Sequence, residues 1–220
     1  MRVRKRKNGD VRRAACGDLI LPFNKLEENE APVYDPAAVF PAAKGGFRLE
    51  IGCGKGAFIT ALAARHPDVG FFAVEKVADV MVLAAEKTRA TSLANVRFLG
   101  CDAEYLARIF PPHSFSHIYL NFSDPWPKAR HAKRRLTHRS SLMRLIPLLA
   151  EGGSVIFKTD NRDLFDFSLE EFEAAGMKLR NVTYDLHASE WAADNIVTEY
   201  EANFSAKGFK INRLEAYLPE

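Results

Sequence analysis

Cysteine is scarce in this chain. Three occur in 220 residues, Cys16, Cys53 and Cys101, and no two share a C-x-x-C spacing. An odd number without paired spacing excludes a disulfide framework and argues against a zinc site, so no metal is expected and a reducing cytoplasm is. No apolar run approaches the roughly 20 residues that a membrane span needs. The basic N-terminus is not followed by the apolar segment of an export signal, so secretion is not expected. Internal repeats and low-complexity tracts are absent. Nothing marks an obligate protein partner, and a monomer or a homodimer is expected.

Acid is also missing, but only locally. Residues 128–139 carry six Lys/Arg and no Asp/Glu, and residues 1–13 carry seven Lys/Arg against one Asp. The whole chain nets only +3, so the remainder is acidic. Two cationic zones on an acidic body read either as an electrostatic footprint for a polyanion or as a solvated tail and a solvated helix start.

What is present is a regular alternation. Residues 1–46 read as a basic tail (to about residue 18) and a Pro- and acid-rich extension, with a short helix near Asp35–Phe40. From residue 47 to 220 a single domain is expected. Strand signals fall at Phe47–Ile51, Val69–Glu75, Val96–Gly100, Phe115–Leu120 and Ser154–Lys158, with further strands at Lys178–Thr183 and Phe209–Tyr217. Helical spacing covers Ala57–His66, Ala78–Ala90, Ala103–Ile109 and Glu199–Ala206. It also covers Leu142–Leu149, with Gly152-Gly153 as its stop, and the stretch around Phe165, Leu169 and Phe172. Repeated strand–helix units imply an α/β fold with a mostly parallel sheet and helices on both faces, whose ligands sit at the carboxyl ends of the strands.

The first strand runs into L-E-I-G-C-G-K-G-A-F. Gly52, Gly54 and Gly56 allow a tight turn and close approach of a ligand, but G-x-G-x-G is not the dinucleotide fingerprint G-x-G-x-x-G. Glu50 beside this loop suits a cation better than a pyrophosphate. Glu75 ends the second strand, placed to accept ribose hydroxyls or to form a surface ion pair. Asp102 follows the third strand, placed to face an adenine or to cap a helix. An acid-rimmed glycine pocket attracts a sulfonium and an ammonium, and so resembles the S-adenosylmethionine site of the class I methyltransferases.

Residues 121–139, N-F-S-D-P-W-P-K-A-R-H-A-K-R-R-L-T-H-R, follow the fourth strand signal. One carboxylate, Asp124, stands between stiffening prolines and an aromatic, ahead of the cationic run. Trp126 could stack on a base or brace the loop. N-F-S-D-P-W-P-K and R-H-A-K-R-R-L closely resemble the signature of bacterial tRNA (guanine-N7-)-methyltransferases. The resemblance extends through L-E-I-G-C-G-K-G-A-F, F-K-T-D-N-R-D-L-F, D-L-H-A-S and V-T-E-Y-E, over roughly residues 47–217.

That resemblance implies a Rossmann-like class I methyltransferase fold with a seven-stranded sheet. It implies methyl transfer from S-adenosylmethionine, leaving S-adenosylhomocysteine, to N7 of a guanine in the tRNA variable loop. Cofactor contacts fall on Glu50, Glu75, Asp102 and Asp124 beside the three glycines, and Asp124 occupies the catalytic position. Substrate contacts fall on Lys128, Asp160, Thr198, Glu199, Tyr200 and Glu201, and RNA contacts on Arg130, His131, Lys133, Arg134 and Arg135. Guanine N7 already carries a lone pair, so no base is required. A carboxylate accepting from N1–H and the 2-amino group would select guanine over adenine. Asp160 and the Thr198-x-x-Glu201 pair read equally as helix-capping residues. His131 and His138 read as RNA-facing or solvated.

Overall fold

The structure, a computed structural model, describes residues 9–23 and 33–219. The chain divides into two compact units, Met1–Pro111 and Pro112–Glu220. The start of the basic tail, residues 1–8, lies outside the described residues, as do residues 24–32 of the extension.

In the first unit, β2 (Phe47–Ile51), β3 (Gly70–Val74) and β4 (Val96–Leu99) are parallel neighbours in the order β4-β3-β2. Their register aligns Ile51 with Val74, and Val74 with Leu99, so three strands end level. The sequence G-F-F-A-V of β3 is buried at every position, as a central parallel strand requires. Each strand leads into a helical segment: α3 (Ala57–Arg65), α4 (Ala78–Arg89) and, after a 3-10 turn at Ala103–Tyr105, α5 (Leu106–Ile109). Phe72 anchors the core, edge-on to Phe40 at 5.1 Å and to Phe110 at 4.8 Å.

The tail and extension hold more structure than their composition suggests. Gly9–Ala15 forms a helix, α1, where only a basic tail was expected. Arg12 Nε donates to Glu86 on α4 at 2.7 Å, and Cys16 just beyond the helix is buried. Ile20–Leu21 adds a short strand, β1, parallel to β4, which raises the strand number among the described residues from the expected seven to eight. Two residues lie below the length at which alternation registers as a strand signal. The expected short helix is α2 (Pro36–Val39), capped by Asp35 Oδ1 on Ala37 N at 2.9 Å.

In the second unit the order is β5 (Phe115–Asn121), β6 (Leu149–Thr159), β8 (Asn212–Tyr217), β7 (Lys178–Thr183). β5 and β6 are parallel, while β8 is antiparallel to both β6 and β7. Phe157 of β6 packs on Phe165 and Phe172 of α7 (Arg162–Ala174). One expectation fails here. The helix read over Leu142–Leu149 is α6 (Arg139–Leu145) plus one 3-10 turn, and Gly152-Gly153 lies inside β6. The β5–β6 register jumps between Phe115–Leu149 and His117–Ser154, which marks a bulge. A side chain at Gly153 would stand 3.1 Å from the Phe115 and Ser116 carbonyls. That glycine serves close backbone approach, not a helix stop. Glu199–Ser205 forms the last helix, α8.

Candidate active site

The cofactor candidates of the first unit gather at the level ends of β2, β3 and β4. Glu50 is buried near the end of β2, Glu75 directly follows β3, and Asp102 lies three residues past β4. Gly52 N and Cys53 N both donate to the Val74 carbonyl, at 2.8 and 3.0 Å, and Gly56 N donates to Cys53 O at 2.9 Å. Gly54 N donates to Glu75 Oε2 at 3.2 Å, and Val77 N to Glu75 Oε1 at 2.9 Å. Those loop amides are therefore committed within the protein and do not form a phosphate nest. Glu75 is oriented by backbone donors rather than by a surface cation, and each of its oxygens keeps a lone pair for a ligand hydroxyl. A Cβ built on Gly52 or Gly54 would meet nothing within 4 Å, whereas one on Gly56 would meet Ala84 Cβ at 2.7 Å. Gly52 and Gly54 face open space, and Gly56 lets α3 close on α4. Burial first, then the charges of Glu50 and Glu75, push the Cys53 thiol well up, which places both acids close to the loop. Asp102 does cap the 3-10 turn through Glu104 N at 3.3 Å, and it remains exposed.

The second unit carries the substrate candidates. Asp124 is exposed, between Phe122 (φ 52°) and Trp126 (φ 41°). Both neighbours hold left-handed backbone that only glycine adopts freely, at about 1–2 kcal/mol each. Two anchors hold the segment. Phe122 N donates to Lys158 O at 2.8 Å. Arg135 donates from Nε to Pro125 O at 2.9 Å and from Nη2 to Trp126 O at 3.1 Å, with its guanidinium 4.2 Å from the Phe167 ring centre. Arg135 is thus half-buried and clamps the loop, while Arg130, Lys133 and Arg134 lie exposed on a 3-10 segment, Ala129–Arg134. Lys128 just before that segment is exposed as well. Trp126 is engaged by Arg134, at 4.9 Å, and by His131 edge-on at 5.8 Å, which favours bracing over base stacking. Ser123 Oγ, next to Asp124, is buried with no hydrogen-bond partner among the described residues.

Asp160 and Tyr200 join this face. Tyr200 OH donates to Asp160 Oδ1 at 3.4 Å, and its ring lies 4.9 Å from Phe122. Partial burial first, and then the charges of Asp160 and Asp124, raise the Tyr200 phenol, so both acids lie within its electrostatic reach. Asp160 does not cap α7; Asn161 does, accepting from Leu164 N at 2.7 Å. Thr198 caps α8 by accepting from Glu201 N at 3.1 Å. Glu201 is fully buried and bonded to side chains elsewhere, and Glu199 is exposed.

Comparison with known proteins places this geometry. A family model described as a putative methyltransferase matches residues 45–214. A tRNA (guanine-N(7)-)-methyltransferase of Brevibacillus brevis is 52% identical over 168 residues, covering 76% of this chain and 78% of that protein. One from Lachnoclostridium phytofermentans is 52% identical over 199 residues, covering 87% and 92%. The chain belongs to the tRNA (guanine-N(7)-)-methyltransferase family. The fold of this family member is shared more widely. The 16S rRNA methyltransferase KamB superposes with a TM-score of 0.63 at 13% identity, over 87% of this chain and 98% of that one. A Haemonchus contortus phosphoethanolamine N-methyltransferase bound to S-adenosyl-L-methionine reaches 0.53 at 16% identity, over 84% and 51%.

Some residues around the candidate site of this family member were not singled out from sequence. Lys158, His187 and Asn195 are drawn into one cluster around the buried Glu201. Arg135, read from sequence as an RNA contact, instead holds the Asp124 loop. For Lys158 a signal did exist: a lysine inside the apolar run V-I-F-K-T needs a buried acid somewhere.

Proposed function

We propose that this chain transfers a methyl group from S-adenosyl-L-methionine to N7 of a guanine in the variable loop of tRNA, in the cytoplasm, as a monomer or homodimer. The observation that carries the reading is the convergence in the second unit. Asp124, Asp160 and the Tyr200 hydroxyl share one face, and the cationic 3-10 segment follows Asp124 in the chain.

When bound, S-adenosylmethionine supplies an electrophilic methyl group on a sulfonium. The first unit suits it chemically. Its loop amides are internally satisfied and its rim is acidic, which disfavours pyrophosphate and favours a cationic ligand. Glu75 would receive the ribose hydroxyls, Asp102 would serve the adenine and Glu50 would supply negative charge beside the loop, where Gly52 and Gly54 leave room.

In the second unit Asp124 accepts from guanine N1–H and the 2-amino group, which selects the base and orients N7. No residue removes a proton from N7. Positive charge arriving on the base is favoured by Asp124 and by Asp160. Lys128, Arg130, Lys133 and Arg134 hold phosphates, and the target nucleotide leaves its stack to reach the site. Residues 47–220 form the catalytic part of the chain and residues 1–46 its basic tail and extension.

The test is methyl transfer to unmodified tRNA with the modified nucleoside mapped. Production of N7-methylguanosine is expected. In Asp124→Asn, kcat falls about 10²-fold or more while S-adenosylhomocysteine binding stays near normal. Full turnover in that variant removes Asp124 from its assigned role.

A further inference from the structure

Three segments that resemble family motifs, F-K-T-D, D-L-H-A-S and V-T-E-Y-E, contribute residues that the reaction above does not use. They meet inside the second unit. Lys158 is 3% exposed and Glu201 0%. Lys158 Nζ donates to Glu201 Oε2 at 3.0 Å, to Asn195 Oδ1 at 2.9 Å and to the Ile196 carbonyl at 3.2 Å. Those three bonds use all three ammonium hydrogens. The other Glu201 oxygen, Oε1, accepts from Asn195 Nδ2 at 2.5 Å and lies 2.7 Å from His187 Nε2. Glu201 therefore has both oxygens engaged and no exposed surface with which to meet a base.

A buried ion pair of this kind gains little net stability, because stripping water from both charges offsets their attraction. What the cluster does achieve is placement. On one side, the Lys158 carbonyl accepts from Phe122 N, its ammonium stands 5.7 Å from the Phe122 ring centre, and Asp160 lies two residues further along the chain. On the other side, Glu201 is the third residue of α8, so fixing it fixes its neighbour Tyr200, whose hydroxyl reaches Asp160. Asn195 bonds both members of the pair and ties the preceding loop to them.

We propose that Lys158, Glu201, Asn195 and His187 form a positioning network that sets the first turn of α8 against the segments bearing Asp124 and Asp160. Glu201 thus serves the guanine site without touching guanine. The inference rests on the transferase reading above and deepens it.

The experiment compares wild type with the paired variant Lys158→Met/Glu201→Gln, which removes both buried charges together. Single removal of Lys158 would strand a buried carboxylate and confound folding with function. Thermal melting, S-adenosylhomocysteine binding, and kcat and KM for tRNA are measured. The paired variant is expected to melt cooperatively and bind S-adenosylhomocysteine as wild type does. Its kcat should fall about 10²-fold, the cost of an ångström-scale misplacement, with KM for tRNA little changed.

A folded variant with wild-type kcat overturns the proposal. So does unchanged kcat with a KM raised tenfold, which would make Glu201 a direct substrate contact. Should the paired variant not fold, half-buried Asn195→Ala carries the same reading: lowered kcat at constant KM supports the network, and unchanged kcat overturns it. An inactive wild type would instead defeat the transferase reading itself, whereas an active wild type matched by its variants defeats only the network.

Discussion

Gly54 and Gly56 stand two positions apart and answer to different demands. Both have left-handed backbone, at φ 54° and 75°. At Gly54 an added methyl meets only open space; at Gly56 it drives into Ala84 at 2.7 Å. Gly56→Ala is therefore expected to destabilise the fold by about 2–4 kcal/mol, from left-handed strain and overpacking together. Gly54→Ala carries only the strain, about 1–2 kcal/mol, but puts a methyl into the ligand cradle. Chemical denaturation separates the two, and S-adenosylhomocysteine affinity should drop more for Gly54→Ala. At this scale the sequence was informative about Glu75 and Asp102, because strand-end acids after apolar runs are local features. It offered Glu201 only as a substrate contact or a capping partner and was silent on its ion pair, because the partners Lys158 and His187 lie 43 and 14 residues away and are brought in only by the fold.

The cationic 3-10 segment and the residue that ends it divide the same charge between two tasks. Arg130, Lys133 and Arg134 are exposed, while Arg135 spends its fork on two loop carbonyls. Lys133→Ala should weaken tRNA binding and lower the salt dependence by about one unit of slope, with kcat preserved. Arg135→Lys keeps the charge but loses the fork, so its loss should fall on kcat, with the salt slope nearly intact. Binding titrations across salt, paired with single-turnover rates, check both. Sequence could not separate these arginines, because R-H-A-K-R-R has no periodicity that marks which side chain turns inward. The β6 bulge was hidden for a related reason. Gly-Gly after an apolar helical run is a common helix stop, and only the Phe115 and Ser116 carbonyls reveal its other use.

For the whole chain, the alternation of apolar runs and helical spacing was enough to give the α/β architecture, since near-continuous apolar strands and amphipathic helices are encoded locally. β1 and α1 were not visible, because each takes its order from packing, on β4 and on α4. The charge balance has a consequence for the second unit. Hydrogen bonds from Arg139 outweigh burial and hold the Glu171 carboxyl below its ordinary range. Burial pushes Glu201 and Glu215 up, but Lys158 with its neighbours, and Arg180 with Ser154, outweigh it and leave both lowered. Carboxyls depressed in the folded state add stability above their unfolded values, and that stability is lost as pH falls through the folded ones. Thermal stability should therefore vary little from pH 7 to about 5 and fall below about 4.5. Glu171→Gln should flatten that decline at the expense of stability near neutrality. An unchanged acid limb in this variant would remove Glu171 from the account.

Phe167 gives the Arg135 clamp a further meaning. It belongs to α7, is absent from every motif that pointed to chemistry, and reaches the Asp124 loop only by supporting the guanidinium that grips it. The strained turn beside Asp124 thus depends on an aromatic residue some forty positions later in the chain. On the proposed reading, variation at such a place should alter rate while leaving the exposed cationic side chains and the glycine loop chemically untouched. In descendants of this chain, pace and recognition can drift separately.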